Sequence, residues 1–323
     1  MGTVVLGTGS CLPERIVTNV DMEKIVETSD EWIRTRTGIE ERRFGGKNEQ
    51  NWQLSATAAR RALEAAGVDP KELGLIVVGT ISSHMMMPST ACFVQAELGA
   101  DNAFAYDINA ACSGFLFGLD MADKYIKADP EMKILVIGAE TLSARLDYTD
   151  RNTCILFGDG AGAAVFGAAE GRGFLSSFLR ADGGLWELLY MHAPESTNPD
   201  LRVNGSTGPL IRMSGKEVFK YAVKAMASAV DAVMEKEGFT PEDVDIFIPH
   251  QANMRILTNL TKRLHFPEEK VFINLPKYGN TSAASIPIAL DEANRAGRIA
   301  KGDTVLLCSF GGGFTWGAAL LKW

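Results

Sequence analysis

Apolar and polar positions along this chain switch between two periods. Residues 55–67, SATAARRALEAAG, space their apolar side chains at helical intervals and stop at Gly67, a residue suited to a helix C-terminus. The next run, LGLIVVGT at 73–80, is continuously apolar, as expected of a strand covered on both faces. The pattern then predicts a helix from just after Cys112 to about Lys127 and a strand in KILVIGAE at 133–140. The opening MGTVVLGTGS reads as a first strand. The run GDGAGAAVFGAAE at 158–170 reads as a Gly/Ala-rich turn and strand, because it lacks the Lys-Ser/Thr of a phosphate loop and no helical pattern follows it. Only residues 192–208 look like a long exposed loop. This alternation predicts α/β layers around mostly parallel sheets.

The pattern also repeats. Glu64, Gly67 and Pro70 match Glu235, Gly238 and Pro241 at a shift of 171. At the same shift NAACSGFLFGLDMA (109–122) lies over NTSAASIPIALDEA (280–293), and ILVIG (134–138) falls on VLLCS (305–309). Three blocks at one offset imply an internal duplication, with an N-terminal half over 1–171 and a C-terminal half over 172–323. No low-complexity linker separates the halves, so they are expected to pack as one body.

Composition narrows the classes. A chain of 323 residues, 46% hydrophobic and 22% charged, suits a globular protein with a substantial core. The net charge of −8 argues against nucleic-acid binding by the molecule as a whole. Cys11, Cys92, Cys112, Cys154 and Cys308 form no CxxC pair and no His/Cys cluster at zinc spacing, so reduced cytosolic thiols and no metal are expected. No apolar run reaches the ~18 residues of a membrane span, and the start lacks the features of a signal peptide. A cytoplasmic protein is the default reading.

Candidate chemistry centres on DINAACSGFLFGLDMA, 107–122, where Cys112 sits among small residues at the start of a helical pattern. One reading is a small buried hydrophobe. The other is a nucleophile whose thiolate is favoured by the positive end of the helix at neutral pH. His250 follows the apolar strand of DIFIPHQANMRI, and Asn280 occupies the place in the second half that Asn109 occupies in the first. If the duplication is real, Cys112, His250 and Asn280 converge near its pseudo-twofold axis, at strand ends and helix starts.

The segments DINAACSGFLFGL, FGDGAGA, IPHQAN, YGNTSAAS and SFGGGFTWG, in this order, resemble the β-ketoacyl-acyl-carrier-protein synthase III family. The resemblance spans essentially the whole chain. It implies a thiolase-like fold, two duplicated α/β halves packed as αβαβα layers, and a homodimer. It further implies that Cys112 is acylated and that His250 and Asn280 serve a decarboxylative condensation, with the Cys112 and Gly312 amides as the oxyanion hole. Coenzyme A enters as a thioester substrate, with no tightly bound cofactor. The expected reaction joins an acyl-CoA primer, most simply acetyl-CoA, to malonyl-acyl-carrier protein, initiating type II fatty-acid synthesis.

Further expectations concern the periphery, the CoA and acyl-pocket contacts being implied by the resemblance and the basic patch being read from local charge. Trp32, Arg36 and Arg151 are expected to hold the CoA adenine. Lys216, Lys220, Arg255, Lys262 and Arg263, on two helical patterns, suit docking of an acidic carrier protein. Met87, last of three methionines where related enzymes often carry an aromatic residue, is expected to shape the acyl pocket from the partner subunit. No carboxylate follows the strand in LIVVGTISS, where hydroxymethylglutaryl-CoA synthases place a Glu base, which argues against aldol-type condensation. The rival readings are an enzyme of secondary metabolism using longer or aromatic acyl-CoAs, a non-catalytic thioester binder, and a nucleotide-binding protein.

Overall fold

A computed structural model describes every residue except Arg172, Asn204 and Thr207. Strand β1 (Gly2–Cys11) is followed by β2 (Ile16–Thr18), α1 (Asn19–Glu23), α2 (Asp30–Thr37) and β3 (Glu41–Arg43), the two short strands pairing with each other. Then come α3 (Asn51–Ala66), β4 (Leu73–Gly79), α4 (Thr90–Leu98), β5 (Phe104–Ile108), α5 (Gly114–Ala128), β6 (Lys133–Thr141), the one-turn α6 (Arg151–Cys154) and β7 (Asp159–Ala169). The chain continues through β8 (Phe174–Ala181), the paired β9 (Leu189–Met191) and β10 (Ile211–Met213), α7 (Gly215–Glu237) and β11 (Ile246–Pro249). It ends with α8 (Met254–Arg263), α9 (Leu275–Tyr278), α10 (Ser285–Arg295), β12 (Thr304–Gly311) and β13 (Thr315–Lys322).

The two main sheets are copies of one plan. The first has the order β1-β7-β6-β4-β5 and the second β8-β13-β12-β11, with the bridge between Phe247 and Val271 standing where a fifth strand would be. Gly67 and Gly238, 171 residues apart, end their helices in the left-handed conformation. Three-residue 3-10 turns recur at the same shift, Pro70–Glu72 with Pro241–Asp243 and Ala111–Ser113 with Ser282–Ala284. Even the unusual backbone is copied, since Ala111 and Ser282 have φ of 45° and 49°.

The sheets are mixed rather than mostly parallel. β4 runs parallel to β5 and β6, and β11 parallel to β12, but β7 and β13 lie antiparallel to both their neighbours. Only residues 312–314 join β12 to β13, and so short a connection can return a strand only antiparallel.

Side-chain alternation builds the layers. Leu75 and Val77 of β4 and Ile134 and Val136 of β6 face a central layer that contains Phe115, Leu116 and Leu119 of α5 and Ile286, Ala289 and Leu290 of α10. The intervening Ile76, Val78, Leu135 and Ile137 face α3 and α4 on the outside. On the other sheet Leu306, Cys308, Ala318 and Leu320 face α7 and α8. The result is αβαβα, with α5 and α10 sandwiched between the sheets. Each large apolar side chain enclosed there stabilises the fold by about 1.5–3 kcal/mol. This central pair presents its two helix starts, and the turns before them, to a common point.

Candidate active site

Two turns meet at that point. In the first, Cys112 lies in the Ala111–Ser113 turn just before α5, and Asn109 Oδ1 accepts the Ala111 N–H at 3.3 Å. In the second, Asn280 Oδ1 accepts the Ser282 N–H at 2.8 Å, which commits that oxygen to the turn and leaves the side-chain NH2 as the free donor. The Ser282 hydroxyl lies on the same cavity wall as the Cys112 thiol and pulls the thiol's pKa down in part. Ser309 on β12 donates to the Cys112 carbonyl oxygen at 2.9 Å and anchors the nucleophile's turn to the second sheet.

His250 extends the end of β11, its N–H bonding the Cys308 carbonyl oxygen at 2.7 Å. Its Nδ1 lies 2.6 Å from the hydroxyl of Ser285, the first residue of α10. That same hydroxyl accepts the Gln251 N–H at 3.4 Å, so its own hydrogen is free to point at Nδ1. The proton of the neutral ring then sits on Nε2, making that nitrogen a donor. Burial pushes the His250 imidazole down to about 4, so the neutral form is the one present at pH 7. His250, Asn280 and Cys112 are thus gathered through one segment, residues 280–285.

Backbone fit places the loop after β12. A Cβ on Gly311 would stand 2.6 Å from the Cys112 nitrogen, so only glycine allows the approach. Gly312 and Gly313 follow at the wall of a cavity of about 310 Å³. Cys112, Ser282 and Gly312 line it together with the apolar Leu142, Phe157 and Ile211.

One electrostatic expectation is corrected here. The Cys112 thiol is not acidified by its place before a helix. Burial pushes it up to about 12, and the nearby Glu140 charge pushes the same way, while the Ser282 hydroxyl only partly offsets them. The turn is 3-10 and the helix begins only two residues later, and desolvation is the largest influence on the thiol.

The structure also holds a carboxylate that the sequence reading passed over. Glu140, near the end of β6, is fully buried beside Ser82 and Ser282, and burial pushes its carboxyl up to about 7. A carboxylate ending the apolar run KILVIGAE was the available signal. Ser285 and Gly311 were missed as well, although both sit in segments already singled out.

The peripheral residues separate. The Arg151 and Arg36 guanidinium carbons lie 4.9 and 5.9 Å from the centre of the Trp32 ring, so these three come together at the surface. Lys216, Lys220, Arg255, Lys262 and Arg263 are exposed on the neighbouring α7 and α8, and Lys220 pairs with Glu217 at 2.9 Å. Met87 is 85% exposed at a loop tip and does not line this chain's own cavity. Among the described residues, no group of three or more His, Cys, Asp or Glu is arranged to hold a metal, and no helix is long and apolar enough to cross a membrane.

Comparison with known proteins decides the family. The family described as 3-oxoacyl-[acyl-carrier-protein (ACP)] synthase III matches residues 106–183, and its C-terminal part matches 234–323. A β-ketoacyl-[acyl-carrier-protein] synthase III of Desulfotalea psychrophila is 59% identical over the full length of both chains. This chain belongs to the 3-oxoacyl-[acyl-carrier-protein] synthase III family. The crystal structure of the family member from Aquifex aeolicus superposes with a TM-score of 0.93 at 49% identity, covering all of both chains. The priming β-ketosynthase of the R1128 polyketide pathway superposes equally well, with a TM-score of 0.93, at 37% identity over 99% of this chain and 96% of that one. The thiolase-like fold expected from the sequence is the fold observed.

Proposed function

We propose that this synthase condenses an acyl-CoA primer with malonyl-acyl-carrier protein, releasing CO2 and giving a 3-ketoacyl-carrier protein that starts fatty-acid synthesis. The observation that carries the mechanism is the tie between the two helix-start turns, which brings a thiol, a neutral imidazole and a carboxamide together.

Cys112 is the proposed nucleophile. Its sulfur attacks the primer thioester, the tetrahedral oxyanion is held by the Cys112 and Gly312 amides, and coenzyme A leaves. The malonyl thioester then binds with its carbonyl oxygen towards His250 Nε2 and the Asn280 NH2. Two neutral donors stabilise the enolate formed as CO2 departs, without offering a strongly acidic proton to the carbanion. The carbanion attacks the acyl group on Cys112 and expels the thiolate. The neutrality of His250 is what burial supplies.

The remaining assignments belong to the same reading. Trp32, Arg36 and Arg151 form the adenine site, an indole face against guanidinium groups being a suitable slot for a flat base. The exposed cations of α7 and α8 receive the acidic carrier protein. The molecule acts as a homodimer, for which the exposed Met85, Met86 and Met87 and the exposed Phe104 on the edge strand β5 are suitable contact surface. In that dimer Met87 reaches the partner's acyl pocket. The halves divide at 171/172, next to Arg172, which lies outside the described residues. Five free cysteines suit a reducing cytoplasm.

Incubation with acetyl-CoA and peptide mapping test the assignment. The acyl group is expected on Cys112; a label on Cys11, Cys92, Cys154 or Cys308 instead overturns it. A polyketide-type role, suggested by the R1128 neighbour, predicts faster turnover with longer or aromatic acyl-CoAs than with acetyl-CoA.

A further inference from the structure

The half-buried Cys112 thiol needs somewhere to send its proton, and His250 is a poor destination because burial holds it neutral. The Glu140 carboxylate lies on the other side of Ser282. Its Oε2 accepts from the Ser82 hydroxyl at 2.5 Å, from the Thr80 hydroxyl at 3.3 Å and from the Ile81 N–H at 3.3 Å. Thr80 Oγ1 receives the Asn51 side-chain N–H at 3.0 Å and Ser82 Oγ receives the Thr141 N–H at 2.8 Å, so both hydroxyl hydrogens are turned to the carboxylate. Oε2 is therefore filled with donors, whereas Oε1 has the Ser282 hydroxyl, at 3.1 Å.

The contact is built into the packing. Gly138, two residues before Glu140 on β6, has no room for a Cβ against the Ala283 carbonyl oxygen, and this lets the Ser282–Ala284 turn lie on the strand. The left-handed backbone of Ser282 is copied at Ala111, so the fold requires the conformation. It does not require the hydroxyl, which Ala111 lacks.

We propose that Glu140 is the proton acceptor for Cys112, acting through the Ser282 hydroxyl. The Cys112 S–H bond breaks as its proton moves to Ser282 Oγ, and the proton that Ser282 held moves to Glu140 Oε1. One negative charge passes from carboxylate to sulfur and no charge is created in the buried site. When the carbanion later expels the Cys112 thiolate, the proton returns by the same path. A fully buried carboxylate held only by hydroxyls and an amide is costly to stability, which is the circumstance in which a functional role is expected. Its raised carboxyl, at about 7, places the acceptor in the working pH range. The groups facing the carboxylate are Asn51-bound Thr80, Ile81 N–H, Ser82 and Ser282, and the titratable one among its neighbours is the thiol itself.

This relay rests on Cys112 being the nucleophile, and the experiment separates the two ideas. Alkylation of Cys112 by iodoacetamide, followed by peptide mapping, reads thiolate formation without any acyl transfer. The pair that has lost one proton exists as carboxylate with thiol or as acid with thiolate, so its population rises with pH up to the first ionisation and is flat beyond it. Wild-type alkylation is expected to level off above about pH 7. In Glu140→Gln the plateau is lost and the rate climbs continuously with pH, because no carboxylate is left to ionise beside the thiol. Ser282→Gly, which removes the hydroxyl and relaxes the left-handed backbone, is expected to do the same, and the double variant no worse than either single one. A plateau retained in Glu140→Gln or in Ser282→Gly overturns the relay, as do single effects that multiply in the double variant. If wild-type Cys112 alkylates with this profile yet takes no acyl group from acetyl-CoA, the relay stands and the proposed function falls.

Discussion

The hydroxyl of Ser285 stands 2.6 Å from Nδ1 of His250, and a hydroxyl that donates there leaves the ring proton on Nε2. Because Ser285 opens α10 within the turn region that holds Asn280 and Ser282, the donor geometry proposed for the enolate depends on a residue that has no proposed contact with substrate. Losing it leaves the imidazole free to adopt the other tautomer, whose Nε2 is an acceptor.

Ser285→Ala should therefore slow malonyl decarboxylation by about fivefold to tenfold, in line with the ~1 kcal/mol net value of one hydrogen bond. Acylation of Cys112, which does not use Nε2 as a donor, should change less. Separate assays of the two half-reactions check this. Equal loss in both would assign Ser285 a packing role only.

The depressed imidazole also makes a stability prediction. An unfolded histidine titrates near 6.5 and His250 near 4, so between these values the unfolded chain binds the extra proton. The native state is thus fully favoured by this group above pH 6.5, and that advantage is lost as pH falls towards 4. Glu140 works in the opposite sense. Its carboxyl is raised from 4.5 to about 7, so the native state holds the extra proton over that range and gains stability as pH falls. The wild-type dependence is a difference of the two, and His250→Gln removes one of them. Relative to wild type, that variant should gain about 2 kcal/mol on going from pH 7 to pH 5, measured by urea denaturation. No relative gain would mean that His250 is not buried neutral.

Much of this was legible in the chain itself. The 171-residue shift revealed the paired sheets and paired helix starts, because duplicated packing preserves the small residues and caps that packing demands. Cys112, His250 and Asn280 were visible because each sits at the same kind of strand end or helix start. What stayed hidden depends on contacts between segments far apart in sequence. Nothing local marks Glu140 as buried against Ser282, 142 residues away. Nothing local reveals that burial overrides the helix start at Cys112, since desolvation comes from the whole surrounding fold. The mixed sheet direction was missed for a simpler reason, as the three-residue return between β12 and β13 looks in sequence like a glycine-rich site loop.

Gly311→Ala probes the close approach behind the proposed oxyanion hole. A methyl group 2.6 Å from the Cys112 nitrogen must displace one backbone or the other. The expected result is a loss of about 1–3 kcal/mol in stability together with slower acylation. Denaturation and single-turnover acylation measure the two effects. A variant with unchanged acylation would show that the Cys112 amide does not need its present position.

Charge on α7 and α8 predicts a substrate-specific effect. Arg255→Ala or Lys262→Ala should raise KM for malonyl-carrier protein by about threefold, leave that for a CoA primer nearly unchanged, and do so less at high salt. Lys220→Ala should do less, because Glu217 already occupies that ammonium at 2.9 Å. Equal effects on both substrates, or effects indifferent to salt, would remove these helices from the docking surface.

The exposed methionine loop gives a test that involves two chains. Met87 lies outside its own cavity, so any influence on primer length must be exerted across a dimer. Replacing the flexible thioether with phenylalanine fills the same space with a flat, stiffer group and should shorten the accepted acyl chain. Each buried methylene contributes about 0.8 kcal/mol, so the short-to-long ratio of kcat/KM should rise severalfold per two carbons excluded. Met87→Ala is the less direct test, because truncation also loosens the neighbouring Met86 and Pro88 and can weaken association by itself. The Phe variant keeps that surface apolar, and its dimer is checked by sedimentation before rates are compared. An intact dimer with an unchanged ratio means that Met87 contacts only the partner's surface and never meets the primer. A monomeric wild-type enzyme with full activity would exclude the loop from the site altogether, since Met87 does not line the Cys112 cavity of its own chain.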